Sequence, residues 1–334
     1  MPNDEIRNKK RILHLVPSWE HVGVVRRIGT LAARLDERLY EQQIVALDDK
    51  GPDPRSIART PRPCMALATG PRLRVALAWR FRRLVRNSQI DVVHTWSRGV
   101  GRIARAALLG LHGVRLIQAN PADFPAGIDV ARLQNEIGEG IPRPQIIKEL
   151  GLPEGALLMG TASRLTREKQ VIELLWALDQ IRCVRDDVYL LVIGDGDARP
   201  LFERYARLYE IGSHVRFLGW RCDAAALIAR LDVYCTASLQ SYCSLAVLEA
   251  MALAVPVVAA ETPAHRTVIA NGESGSLVNI GQRSEMARWC LRLLEDQELA
   301  RRMSAAAKER AIEQFGVAQF VEQSLKLYTA GFPA

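Results

Sequence analysis

ALLMGTASRLTREKQVIELLWALDQIRCVRDDVYLLVIGDG, residues 156–196, begins in an apolar, strand-like run and crosses a polar turn into a helical pattern. It then returns to a second apolar run, VYLLVIG, that ends on a glycine turn. Strands that alternate with helices of this length indicate a parallel, doubly wound sheet covered on both faces. In such sheets ligands bind at the carboxyl ends of the strands, where helix N-termini offer unpaired N–H groups and partial positive charge. The strand-to-helix turns are therefore the places where chemistry is expected.

The same rhythm extends in both directions. Downstream come helix RPLFERYARLYEIG, strand HVRFLGW, helix AAALIARL, strand DVYCTA, helix LAVLEAMALA and strand PVVAA, then an almost wholly helical tail from about Ser284. Upstream, RILHLV, QIVAL, CMALA, DVVHTW and VRLIQA read as strands separated by helical patterns. Between Asn120 and Gly151 the pattern fails, in a segment with four prolines, and a domain boundary is expected there. The expected domains are 1–140, Rossmann-like, and 141–334, a second Rossmann-like domain carrying the helical tail.

A chain of 334 residues is too long for one ordinary core, and its 49% hydrophobic and 25% charged content is that of a soluble globular protein. The net charge of +8 is unevenly placed: residues 1–140 carry 23 Lys and Arg against 14 Asp and Glu, the remainder 22 against 23. The first part is thus expected to meet an anionic surface. Six cysteines, at 64, 183, 222, 235, 243 and 290, form no CxxC pair, so no metal site and no disulfide framework is implied. ILHLV is too short for a signal-peptide core, and no run approaches the roughly 20 apolar residues of a spanning helix. The expectation is a cytoplasmic protein.

Three constellations stand at strand-to-helix turns. In SRLTREKQ, Arg164 and Lys169 could grip a diphosphate, Arg as a fork and Lys as a point charge, or could be solvated charge at a helix start. VIGDG is half of a dinucleotide fingerprint without its third glycine; it reads as a tight turn, and a nicotinamide-dependent dehydrogenase would need the complete motif. SLQSYCSLAVLEAMA, 238–252, opens on a Ser-rich turn able to cap a helix and holds one carboxylate, Glu249. That acid could accept two ribose hydroxyls or be a surface acid, and its apolar neighbours favour the former.

Taken together, SRLTREKQ, VIGDG, HVRFLGW, DVYCTAS, LAVLEAMALAVPVVA and NGESGSLV stand in the order and spacing of the retaining glycosyltransferases of family four, which the chain resembles over its second domain. The resemblance implies the GT-B fold, two Rossmann-like doubly wound domains facing a cleft, and a nucleoside-diphosphate-sugar donor used without cofactor or metal. It implies that Arg164 and Lys169 neutralise the donor's diphosphate, that Glu249, second Glu of a Glu-x7-Glu motif, binds the ribose, and that the loop after strand one, with Gly23, closes over donor and acceptor. His94, ending its strand, falls where the family often has an acceptor-side His, although a lone His there is ordinarily structural; His14 reads as core.

The departures are specific. Ser241 takes the place of the motif's first Glu, so the sugar would be held by Ser241 and the backbone N–H groups of Ser244 and Leu245. Thr267 stands where the family has another Glu, and HVGVVRR keeps Gly23 and Arg26 but loses a glycine and an acid. Only NPAD separates VRLIQA from FPAGID, so about one strand-helix unit is missing from the acceptor side. The helix at 71–87 interleaves six arginines with Leu77, Trp79 and Phe81; it reads either as a contact for anionic lipid or as a sheet-covering helix with a solvated face. No groove-reading motif accompanies the charge, so nucleic acid is not an expected partner. The expected activity is sugar transfer to a glycan or lipid-linked acceptor at the inner face of the membrane, in cell-surface glycan or polysaccharide biosynthesis. The alternative is an impaired relative acting as a nucleotide-binding or partner subunit.

Overall fold

The computed structural model describes residues 9–51, 53, 63–67, 74–118, 127–138, 142–240 and 244–329. They form two compact units, one of residues 1–127 with 317–334, the other of 128–316. Each is built on a wholly parallel sheet.

In the first unit the strands are β1 (Lys10–Ser18), β2 (Tyr40–Asp48), β3 (Cys64–Ala66), β4 (Val92–Thr95) and β5 (Arg115–Gln118), in the order β3-β2-β1-β4-β5. All five strands expected from the sequence are present. Side chains alternate across the sheet: Ile12 and Val16 of β1 enter one core with Val25, Ile28 and Ile44. Leu13 and Leu15 enter the other with Val45, Phe81, Val85 and Val100. Helix Arg74–Asn87 thus covers the sheet through Phe81 and Val85.

The second unit has β6 (Leu157–Ala162), β7 (Val188–Ile193), β8 (Val215–Gly219), β9 (Val233–Thr236), β10 (Val257–Ala260) and β11 (Ser276–Val278), ordered β11-β10-β9-β6-β7-β8. Every residue of β7, VYLLVI, is buried, as a strand covered on both faces requires. Helix Val171–Arg182 buries Val171, Leu174, Leu175, Leu178 and Ile181 against this sheet, at the spacing its sequence pattern set. Both sheets run outward from their first strand and then resume on its other side. The order therefore reverses between β1 and β4 in one unit and between β6 and β9 in the other.

The division of the chain differs from the expected 1–140 and 141–334. The Ile128 N–H donates to the Phe315 carbonyl at 2.7 Å, and Ile128 bridges to Gly316. Residues from 128 onward therefore belong to the second unit, and Ile128 pairs with no strand of the first sheet among the described residues. Helix Val317–Thr329 returns to the first unit, where Phe320 and Tyr328 are fully buried. Its apolar stripe announces a buried face but not which sheet that face covers.

Candidate functional site

The second sheet's switch point lies between β6 and β9, and the turns leaving these strands carry most of the residues singled out in the sequence. After Ala162 the chain crosses Ser163–Thr166 into a short turn of 3-10 helix, Arg167–Lys169, and enters helix Val171–Arg182 through Gln170, which holds a left-handed φ of 49°. The turn is clamped by its neighbour. Ser163 N–H donates to the Ile193 carbonyl, Leu165 N–H to the Asp195 carbonyl and Ala198 N–H to the Leu165 carbonyl, each at 2.9 Å. The clamp needs the glycines of VIGDG: a Cβ on Gly194, whose φ is +124°, would overlap the Ser163 carbonyl, and one on Gly196 the Leu165 carbonyl. The tight-turn reading of VIGDG holds, and its purpose is to seat the Arg164 loop.

Arg164 keeps 30% of its side chain exposed, with Nη2 3.8 Å from Asp197 Oδ2, a long and solvent-screened pairing. Lys169 is buried and its Nζ donates to Gln240 Oε1 at 2.8 Å. Across the switch point, Leu239 N–H donates to the Glu168 carbonyl at 3.0 Å, tying the turn after β9 to the turn after β6. The Ser-rich turn does cap its helix: Ser244 Oγ accepts from Ala246 N–H at 3.3 Å at the start of Leu245–Ala252. Ser244 and Leu245 thus stand at a helix N-terminus on the same sheet edge as Arg164 and Lys169.

Glu249, in that helix's second turn, is only 3% exposed, among the buried Val247, Leu248, Ala250 and Met251. It is not a surface acid. The Tyr234 hydroxyl donates to the Ala162 carbonyl at 3.3 Å; burial, with Glu249 contributing, pushes its phenol well up, so it stays a proton donor. His265, which the sequence reading passed over, is buried at the start of helix Pro263–Val268. Burial lowers its pKa, and the nearby Lys169 charge lowers it further, while its Nδ1 lies 2.6 Å from the Ala260 carbonyl. The imidazole is therefore neutral, with Nδ1–H donated to that carbonyl and Nε2 left as an acceptor. Its signal in the sequence was only a His three residues behind a capping Thr262. Thr267 spends its hydroxyl on its own helix, donating to the Ala264 carbonyl at 2.8 Å. Ser241 lies outside the described residues.

Residues 142–310, half of the chain, match the family described as glycosyl transferases group 1, and residues 22–120 match glycosyltransferase family 4. The chain belongs to this glycosyltransferase family. It is 31% identical to a phosphatidyl-myo-inositol mannosyltransferase of Mycobacterium leprae over 242 residues, covering 71% of this chain and 61% of that one. It is 29% identical to the N-acetyl-alpha-D-glucosaminyl L-malate synthase of Bacillus anthracis, covering 60% and 53%. The chain thus spans little more than half the length of these two relatives. A lipopolysaccharide core biosynthesis glycosyltransferase of Rhizobium meliloti, LpsE, is 23% identical, covering 76% of this chain and 80% of that one. Among solved structures, Anabaena Alr3699/HepE in complex with UDP and glucose superposes with a TM-score of 0.77 at 16% identity, covering 96% of this chain and all of that one. A Rickettsia africae glycosyltransferase does so at 0.75, also at 16% identity, covering 96% and 98%. With two parallel-sheet units and these neighbours, the fold of this family member is GT-B.

The remaining expected site residues lie in the first unit. Gly23 is the second residue of helix Val22–Ala32, half-buried, just after the β1 turn. His94 is 0% exposed: its ring stacks on Trp96 with centroids 4.4 Å apart, and Nδ1 lies 2.7 Å from the Tyr328 hydroxyl. The side chain is thus enclosed at the end of β4, held between Trp96 and Tyr328. His14, as expected, is core: its Nδ1 accepts from Trp96 Nε1 at 3.3 Å, so Nε2 carries the proton donated to Gln42 Oε1 at 3.2 Å.

Of the basic helix, residues 71–73 lie outside the described residues. On its solvent side Trp79 is 61% exposed with the Arg83 guanidinium 5.8 Å from its ring, while Arg82 donates to the Ala107 and Leu109 carbonyls at 2.8 and 2.6 Å. Exposed Leu109, Arg102 and Arg105 belong to the neighbouring helix Arg98–Leu108 and its end. Among the described residues no helix is long and apolar enough to cross a membrane, and no cluster of His, Cys, Asp and Glu could hold a metal ion.

Proposed function

We propose that this protein transfers a sugar from a nucleoside-diphosphate sugar to a glycan or lipid-linked acceptor with retention of configuration. The observation that carries the reading is that the turn after β6, bearing Arg164 and Lys169, is tied through Leu239–Glu168 and Lys169–Gln240 to the turn after the adjacent β9, which leads to the helix that starts at Ser244–Leu245 and holds buried Glu249. Arg164 and Lys169 stabilise the diphosphate as charge builds on the leaving group, a purely electrostatic service that requires no protein nucleophile and no metal. Glu249 accepts the ribose hydroxyls, and the helix N-terminus faces the phosphates. With Ser241 in place of an acid, the transferred sugar is held by that hydroxyl and by the N–H groups of Ser244 and Leu245.

The setting is cell-surface glycan or polysaccharide assembly at the cytoplasmic face of the membrane, supported by the relatives that make mannosylated phosphatidylinositol and lipopolysaccharide core. The exposed Trp79, Arg83 and Arg86 of helix Arg74–Asn87 would rest on anionic headgroups, an indole at the interface among cations.

One observation favours a second reading, a nucleotide-binding partner subunit without turnover. Thr267 offers no carboxylate and turns its hydroxyl into its own helix. The two separate in one assay: a panel of nucleotide sugars, with and without membrane lipid extract, followed for nucleoside-diphosphate release and for the anomeric configuration of any product. Release with a retained anomer supports the transferase; binding without release for every donor leaves the partner subunit standing.

A further inference from the structure

We propose that Gln240 is a positioning residue that holds the Lys169 ammonium in the direction from which it meets the donor diphosphate. The inference deepens the reading above and rests on Lys169 as a diphosphate ligand. Lys169 Nζ donates to Gln240 Oε1 at 2.8 Å, and Gln240 Nε2 donates to Glu168 Oε2 at 3.3 Å. The orientation of the carboxamide is dictated by its two neighbours. Turned over, it would present N–H groups to an ammonium and an oxygen to a carboxylate.

The backbone holds this relay in place. Leu239 N–H is bonded to the Glu168 carbonyl at 3.0 Å and Gln240 N–H to Ser238 Oγ at 3.4 Å, so residue 240 is fixed from the β9 side and residue 168 from the β6 side. A carboxylate at position 240 would fit the same space but would pair directly with Lys169 and face Glu168. A carboxamide instead fixes the direction of the ammonium without adding a negative charge beside it to compete with an incoming dianion. The relay also joins the two turns of the switch point.

The test is a calorimetric titration of UDP, GDP and ADP into the full chain, continued with whichever binds wild type, for Lys169→Ala, Gln240→Ala, Gln240→Glu and Lys169→Ala with Gln240→Ala. Loss of Lys169 is expected to weaken binding about tenfold or more, as for a charge-assisted hydrogen bond. Gln240→Ala should weaken it about threefold and Gln240→Glu about tenfold, and in the Lys169→Ala background the Gln240→Ala change should add nothing. A merely space-filling Gln240 would give a Gln240→Glu protein that binds like wild type. That result, or an undiminished Gln240→Ala effect without Lys169, overturns the proposal while leaving the donor site intact. Failure of all three nucleotides to bind wild type, or unchanged affinity in Lys169→Ala, overturns the donor-site reading and the role of Gln240 with it.

Discussion

His14 shows how far a single residue's chemistry can be followed. It is buried between Gln42 and Trp96 with its ring 5.6 Å from that of His94, and burial lowers its pKa to about 4. The unfolded chain titrates near 6.5, so below that pH it takes up a proton that the folded chain refuses. Stability therefore falls as pH drops from 6.5 towards 4, by about 3 kcal/mol for His14 alone, and His94, lowered for the same reason, adds loss in the same direction. Denaturant unfolding at pH 7.5, 6 and 5 should show this slope, and His14→Gln should flatten it; a pH-independent midpoint in wild type would contradict the burial. At this scale the sequence was least legible. RILHLV and DVVHTW read alike as strands, and nothing in either spacing says that both histidines turn into the same core under a helix more than 200 positions away. Lys169 and Gln240 are likewise 71 positions apart, so the contact that orients the cation leaves no local signal.

Elements were far more legible, because long apolar runs bounded by turn residues leave little choice of structure. Every strand expected from the sequence forms, and VIGDG makes the turn that its glycines permit. Its consequence for the site is testable: Gly194→Ala places a methyl against the Ser163 carbonyl at a backbone φ of +124°. The Arg164 turn must shift, and nucleoside-diphosphate affinity should fall several-fold, with a loss of stability of about 1 to 3 kcal/mol. The final helix behaves oppositely. Phe320 fills the first unit's core, and Phe320→Ala should cost about 3 to 5 kcal/mol, read by chemical denaturation, without altering nucleotide binding in the second unit. That division of labour could not be foreseen from a tail whose helical pattern shows an apolar stripe and no destination.

The whole chain carries two parallel sheets that each reverse order beside their first strand, one of five strands and one of six, and its charge is unevenly spread. The basic excess of the first 140 residues suits the partner proposed for it, an anionic lipid surface. Vesicles containing phosphatidylglycerol should sediment the protein and phosphatidylcholine vesicles should not; Trp79→Ala with Arg83→Glu should weaken the association at least several-fold, and high salt should abolish it. The fold was legible at this scale because alternation of strands and helices constrains topology strongly, whereas the domain boundary depends on pairings between residues far apart in the chain, such as Ile128 with Phe315 and Gly316. The central claim, that the edge between β6 and β9 receives a nucleoside diphosphate through Arg164 and Lys169, is tested most directly by titrating nucleoside diphosphates into wild type and into Arg164→Ala with Lys169→Ala. The account predicts saturable binding to wild type and a loss of about a hundredfold or more in the double variant, as two charge-assisted contacts require; equal affinity in the two proteins would contradict it.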